Sequence, residues 1–203
     1  MKIKSIYVPK EDLNLVKSTD TIKDVLKQFE ETGIFSLPVV KGDELIGTIY
    51  KEKLYRVLVG QEDQRAYENQ EIDSSLIVKS ERFTTLEAPV ELAAKEFVDN
   101  QLTFIPVQKE DGTFAGIVTH KAVFKYLVGL FGITDDKIVV YIENMSGQLA
   151  RVLEVFKKLN VNIKKIVAED AKVLNLYRLI IQPEKDLDKV RQALKKEGFR
   201  IEE

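Results

Sequence analysis

Thr119, His120 and Lys121 stand where a β-branched run ends and a helical stripe begins. A hydroxyl, an imidazole and an ammonium in succession at a helix start suit the binding of an oxyanion. The basic pair supplies positive charge, and the first-turn N–H groups of an uncovered helix are themselves open to an anion. A plainer reading of the same residues has Thr119 capping those N–H groups and His120 as a solvated helix-start residue. A second polar cluster, Asn144, Ser146, Gly147 and Gln148, falls in a turn between another β-rich run and another helical stripe. Gly147 permits close backbone approach there, so main-chain groups can meet a small polar ligand. A plain β–α turn is the alternative. Asn144, Met145 and Ser146 also match an N-glycosylation acceptor, which is set aside because no secretory pattern precedes it.

Residues for bond-making chemistry are scarce. With one His and no Cys, the chain has no Cys–His pair and no cysteine-based zinc cluster. No Gly-x-Gly-x-x-Gly or Walker-type loop occurs. The carboxylates are spread over polar faces, as solvated charge is. A binding protein is expected, not an enzyme, with no catalytic residue, metal or cofactor.

The 203 residues allow one large domain or two small ones, and 44% hydrophobic with 32% charged residues is an ordinary globular composition. A formal charge of -2 argues against nucleic acid as the main partner, because phosphate backbones call for a basic surface. Lys157 with Lys158, and Lys195 with Lys196, read as solvated helix faces. The apolar run Leu127–Ile133 is far short of the ~20 residues that span a bilayer. A soluble, cytoplasmic protein without a signal peptide is expected.

The elements that hold these clusters repeat. Residues 34–54 (IFSLPVVKGDELIGTIYKEKL) and 102–123 (LTFIPVQKEDGTFAGIVTHKAV) both read as strand, glycine turn, strand and helix, with Pro38 matching Pro106 and Gly47 matching Gly116. Such self-similarity outranks local propensity and suggests a pseudo-two-fold pair with ligand clefts between its halves. Each hairpin follows a helix. The first is capped by Thr21 and Asp24 and has Ile22, Val25, Leu26 and Phe29 on one face; the second has Pro89 in its first turn and Val90, Ala93, Ala94 and Phe97. Short strands are expected at Leu13–Val16 and near Phe83. The boundaries read as 1–60 for the first repeat, 61–71 for a polar linker and 72–131 for the second repeat. A jointed segment over 129–136 follows. Residues 134–203 then read βαββαβ, with Leu149, Val152, Leu153, Phe156 and Leu159 as the stripe of the first helix. That order is the ferredoxin-like split βαβ arrangement.

The duplicated stretch resembles a CBS-domain pair, or Bateman module, and residues 134–203 resemble an ACT domain. The loop at Asn144–Gln148 is similar to the one by which that family enters its first helix, with Asn144 and Ser146 in place of its Asp and Pro. The order CBS, CBS, ACT resembles the AcuB-like proteins. The resemblance implies an α+β fold: tandem CBS repeats plus a C-terminal ferredoxin-like ACT domain. It also implies a cytoplasmic, homodimeric, ligand-sensing regulator. AMP, ADP, ATP or another adenosyl compound is the implied ligand of the CBS clefts, with an amino acid possible at Asn144, Ser146, Gly147 and Gln148. The alternative is a constitutive dimerisation scaffold with vestigial pockets.

CBS pairs place a Ser/Thr against phosphate and an Asp three residues later against the ribose. In the first repeat those positions are Tyr50 and Lys53, and in the second Thr119 and Ala122. A lost carboxylate–hydroxyl bond costs roughly 1.5–3 kcal/mol. The second cleft is therefore expected to be the better nucleotide site, through Thr119, His120 and Lys121. Phe83, Phe104, Ile105 and Pro106 would wall its adenine, while Tyr50 would stack on a base in the first cleft. The same aromatic and apolar residues also read as plain core.

Overall fold

Thr21 begins the first long helix in the computed structural model. Its hydroxyl accepts from the Asp24 amide at 3.2 Å, while the Asp24 carboxylate accepts from the Thr21 amide at 3.1 Å, so two orphan first-turn donors are satisfied. The structure describes residues 1–131, 136–143, 145–171 and 176–202. It divides into two compact units, 1–125 and 126–203.

In the first unit the chain runs through β1 (Val8–Pro9), β2 (Val16–Lys17), α1 (Ile22–Thr32), β3 (Ser36–Lys41), β4 (Glu44–Tyr50) and α2 (Lys51–Val59). It continues through α3 (Gln64–Glu68), β5 (Ile77–Val78), β6 (Thr84–Thr85), α4 (Val90–Asp99), β7 (Phe104–Gln108), β8 (Phe114–Thr119) and the start of α5 (His120–Phe131). The expected repeat is present, and the strand expected near Phe83 lies at Thr84–Thr85. Two expectations shift: the strand at Leu13–Val16 is displaced to Val16–Lys17, and Pro89 stands at the N-cap position just before α4, without a side-chain cap.

The two repeats exchange strands. One sheet has the order β2-β3-β4-β5 and the other β1-β8-β7-β6. β5, from the start of the second repeat, is thus the edge of the first repeat's sheet, pairing Val78 with Thr48. β1, from the chain start, edges the second sheet, pairing Pro9 with Gly116. The polar stretch 61–71 is more than a linker. Asp63 caps α3 by accepting from the Ala66 amide at 3.0 Å. Tyr67 of α3 packs on the first repeat's core, and Ile72 and Leu76 belong to that core, beyond the repeat end expected at residue 60. The sheets also share a cluster in which Val40 and Leu45 of the first repeat meet Phe104, Phe114 and Ile117 of the second.

The second unit holds the end of α5, then β9 (Ile138–Glu143), α6 (Gln148–Leu159), β10 (Ile163–Asp170), β11 (Leu176–Pro183), α7 (Leu187–Lys196) and β12 (Arg200–Ile201). The order is βαββαβ, in an antiparallel sheet ordered β10-β11-β9-β12. Alternate strand residues such as Val140, Leu179 and Ile181 pack with Val152, Phe156, Val190 and Leu194 of the helices, as period-2 and period-3.6 stripes must when they meet. Part of the joint expected over 129–136, residues 132–135, lies outside the described residues. Among the described residues no helix is long and apolar enough to cross a membrane.

Candidate functional site

The matching proline strands lie next to one another at their starts. There the Ser36 hydroxyl donates to the Thr103 hydroxyl at 2.8 Å, a bond between the two repeats. Beside it opens a cleft of about 520 Å³ lined by Phe35, Tyr50, Glu52, Lys53, Arg56 and Thr103. Each wall follows from local structure. Phe35 and Thr103 immediately precede β3 and β7, Tyr50 ends β4, and Glu52, Lys53 and Arg56 lie on the first turns of α2.

The cleft lining carries two aromatic rings, Phe35 and Tyr50, and one carboxylate, Glu52, against two cations, Lys53 and Arg56. Glu52, its lining carboxylate, pairs with Arg56 at 2.5 Å. Lys53 makes no ion pair among the described residues. The nearby Asp73 carboxylate is taken up by Ser75, whose hydrogen bonds hold it below the usual carboxylate range, and the charge of Lys53 adds to that lowering. Phe35 is 74% exposed, a large apolar ring left in solvent at the cleft mouth.

Tyr50, expected at a base in the first cleft, lines this cleft, and so does Lys53, which stands where the ribose acceptor is missing. Phe35, Arg56 and Thr103 were not singled out in the sequence. The repeat alignment makes Phe35 and Thr103 equivalent, which is the signal that flags both.

Where the sequence places the second cleft, Thr119 ends β8 opposite Phe104. Its hydroxyl accepts from the Ala122 amide at 3.2 Å, so it caps α5 and retains its own proton for donation. Lys121 is exposed, and the His120 ring lies 3.9 Å from that of Phe97, tilted by 33°. His120 is exposed at the helix start, with one side of its ring against Phe97 of α4. The expected adenine wall is divided: Phe83 is 40% exposed, whereas Phe104, Ile105 and Pro106 are buried, Phe104 within the shared cluster. Hydrophobic burial offers a stronger claim on those three side chains than a ligand does.

In the second unit, a cleft of about 340 Å³ is lined by Gln148 together with Glu143, Arg151, Phe199 and Arg200, among others. The Arg151 guanidinium lies over the Phe199 ring at 5.1 Å. Of the expected loop residues, Ser146 is exposed, Gly147 takes φ +85° at the start of α6, and Gln148 reaches this cleft. Asn144 lies outside the described residues.

The CBS-domain family model matches residues 3–60 and 77–129, more than half of the chain. The chain belongs to the CBS-domain family. The matched spans are the two repeats with their exchanged strands, β1 in the first and β5 in the second. Solved CBS structures share the fold. CBSX2, crystallised in complex with AMP, is 22% identical, with a TM-score of 0.54 over 63% of this chain and 96% of its own. CbpB, in complex with c-di-AMP, is 20% identical, with a TM-score of 0.56 over 64% of this chain and 85% of its own. A CBS domain pair/ACT domain protein from Thermotoga maritima is 18% identical, with a TM-score of 0.52 over 64% of this chain and 98% of its own. No curated protein matches the chain.

Proposed function

We propose that this CBS-domain protein is a ligand-sensing regulator that binds an adenine nucleotide within its CBS pair. The cleft beside the Ser36–Thr103 bond carries this reading. An exposed aromatic ring, a phenol and an ammonium without an ion pair meet there in a space large enough for a nucleotide. That proteins of the same fold have been crystallised with AMP and c-di-AMP supports it. The second cleft contributes through the Thr119 hydroxyl, with Lys121 adding positive charge and His120 a ring nitrogen for hydrogen bonding. A thermal-shift series with AMP, ADP and ATP tests the proposal. Ligand binding to the native state alone stabilises by about 2.7 kcal/mol at a hundredfold excess over Kd. An unmoved melting temperature with all three at millimolar concentration would refute it.

Residues 134–203 form, in this reading, an ACT domain, and the whole is an AcuB-like protein. The βαββαβ order with strand order β10-β11-β9-β12 supports the assignment. An amino acid bound near Ser146, Gly147 and Gln148 is the second signal sensed. The protein works as a homodimer. Val98 at 85% and Phe124 at 62% exposure are apolar helix surface of the kind that two-fold pairing covers. A second reading, a constitutive dimerisation scaffold, is favoured by the capping role of Thr119, which gives that hydroxyl a structural use without a ligand. The thermal-shift series separates the two.

A further inference from the structure

We infer that the cleft of the second unit, between the start of α6 and β12, takes an acidic amino acid, a ligand with two carboxylates and one ammonium. The inference rests on the amino-acid reading above and names the class of amino acid and the groups that meet it. Two guanidiniums line this cleft, Arg151 and Arg200, and neither makes an ion pair among the described residues. Both are nevertheless held in place. Arg151 lies over the Phe199 ring at 5.1 Å and donates to the Gln148 side-chain oxygen at 3.3 Å and to the Glu197 carbonyl at 3.4 Å. Arg200 lies over the Tyr141 ring at 5.6 Å. The carboxylates nearest them along the chain are committed elsewhere. Glu197 pairs with Lys158 at 3.3 Å, and Glu202 is shared by the Tyr141 hydroxyl at 2.9 Å and Arg178 at 3.2 Å. Glu143 supplies the one lining carboxylate, and its side chain has no partner among the described residues.

Two cations and one anion without internal partners make a charge pattern that a ligand can complete. An acidic amino acid does so, with its carboxylates on the guanidinium forks and its ammonium on Glu143. A neutral amino acid leaves one guanidinium unmatched. A basic one brings a further cation towards both arginines, and a diacid without an amine leaves Glu143 facing like charge. At about 340 Å³ the space is near the lower end of small-molecule clefts, which suits a free amino acid. Gln148 joins this cleft to the loop at Ser146 and Gly147, because its side chain is the one that Arg151 bonds.

Removing one charge at a time from ligand and protein isolates the point. Calorimetric titration of the full chain with L-glutamate, L-glutamine and glutarate, and with L-aspartate, L-asparagine and succinate, is run on wild type, Arg200→Gln and Glu143→Gln. One acidic amino acid is expected to bind at least about tenfold more tightly than its own amide and than its own diacid, since a site built around a polar group rejects the analogue lacking it. Arg200→Gln should abolish the preference over the amide, and Glu143→Gln the preference over the diacid. Both side chains are exposed, so both variants should melt within a degree or so of wild type. Amides binding as tightly as acids, or a preference for the acid that survives Arg200→Gln, overturns the inference and leaves amino-acid sensing standing. So does a thermal shift given only by amino acids other than these. No shift and no heat with any standard amino acid overturns both.

Discussion

Gly47 and Gly116 occupy the same place in the two repeats, and over each passes the backbone of a strand from the opposite repeat. A Cβ on Gly47 would sit 2.5 Å from the Val78 carbonyl oxygen, and one on Gly116 would collide with the Val8 carbonyl and lie 3.1 Å from the Pro9 Cα. Both glycines also hold positive φ, +155° and +152°. Neither β5 nor β1 can add to its sheet over a side chain. Gly47→Ala and Gly116→Ala are each expected to destabilise by about 2–4 kcal/mol, as backbone-against-Cβ clashes do. Chemical denaturation checks this, and losses below about 1 kcal/mol in both variants would show that the exchanged strands do not need these positions.

Thr119→Val removes the hydroxyl and keeps the shape. Nucleotide affinity at the second cleft is expected to fall roughly tenfold, about 1–2 kcal/mol. Because the same hydroxyl caps α5 through the Ala122 amide, stability should fall by about 1 kcal/mol as well. Calorimetry at a temperature well below melting separates the two effects; unchanged affinity removes Thr119 from the site.

At the chain start an exposed ion cluster adds to the burial of Ile3 and to backbone bonds. Glu87 accepts from Lys2 at 2.5 Å and Lys4 at 2.9 Å, and these hydrogen bonds push its carboxyl down to about 2 from an ordinary 4.5. The folded value lies below the unfolded one, so the contribution is fully present above pH 4.5 and is lost as pH falls towards 2. The backbone bonds from the Ile3 amide to Ala88 and from the Lys4 amide to Leu86, both 2.9 Å, should then open first. Amide exchange followed by NMR between pH 5 and 2.5 tests this. Glu87→Gln should remove the pH dependence at Lys4, and an unaltered profile in that variant would assign the effect to another group.

α5 begins at His120 and Lys121, proposed to flank the second nucleotide site, and ends in the second unit, where the Lys165 ammonium donates to the Gly129 carbonyl. A nucleotide that prefers one arrangement of the repeats can therefore reach the second unit through this helix, provided its affinity differs between the two arrangements. Saturating nucleotide is expected to change hydrogen-exchange protection over residues 145–148. By reciprocity, an amino acid bound there should alter nucleotide affinity by the same factor. Identical exchange throughout 137–203 would mean two independent modules.

Light scattering at micromolar concentration should give the mass of a dimer, with and without nucleotide. A monomer mass in both conditions would count against two-fold pairing of the exposed Val98 and Phe124 surface.

Much of this protein is determined by local pattern. The capping pair Thr21–Asp24, the core stripe Ile22–Val25–Leu26–Phe29 and the matched Pro38/Pro106 hairpins are local or periodic features, and each appears where its spacing places it. Tertiary structure alone decided the strand exchange. β1 and β5 are two residues long, too short to show alternation, and their partners are chosen by the space above Gly116 and Gly47. It decided the role of 61–71 too, because a single turn such as α3 gains its stability by packing Tyr67 on a core and not from its own five residues. It buried Phe104, Ile105 and Pro106, for which core is the better of the two sequence readings and ligand wall the other. And it made the first cleft, since Phe35 and Thr103 come from different repeats and meet only when the Ser36–Thr103 bond closes, a long-range contact that no spacing along the chain encodes.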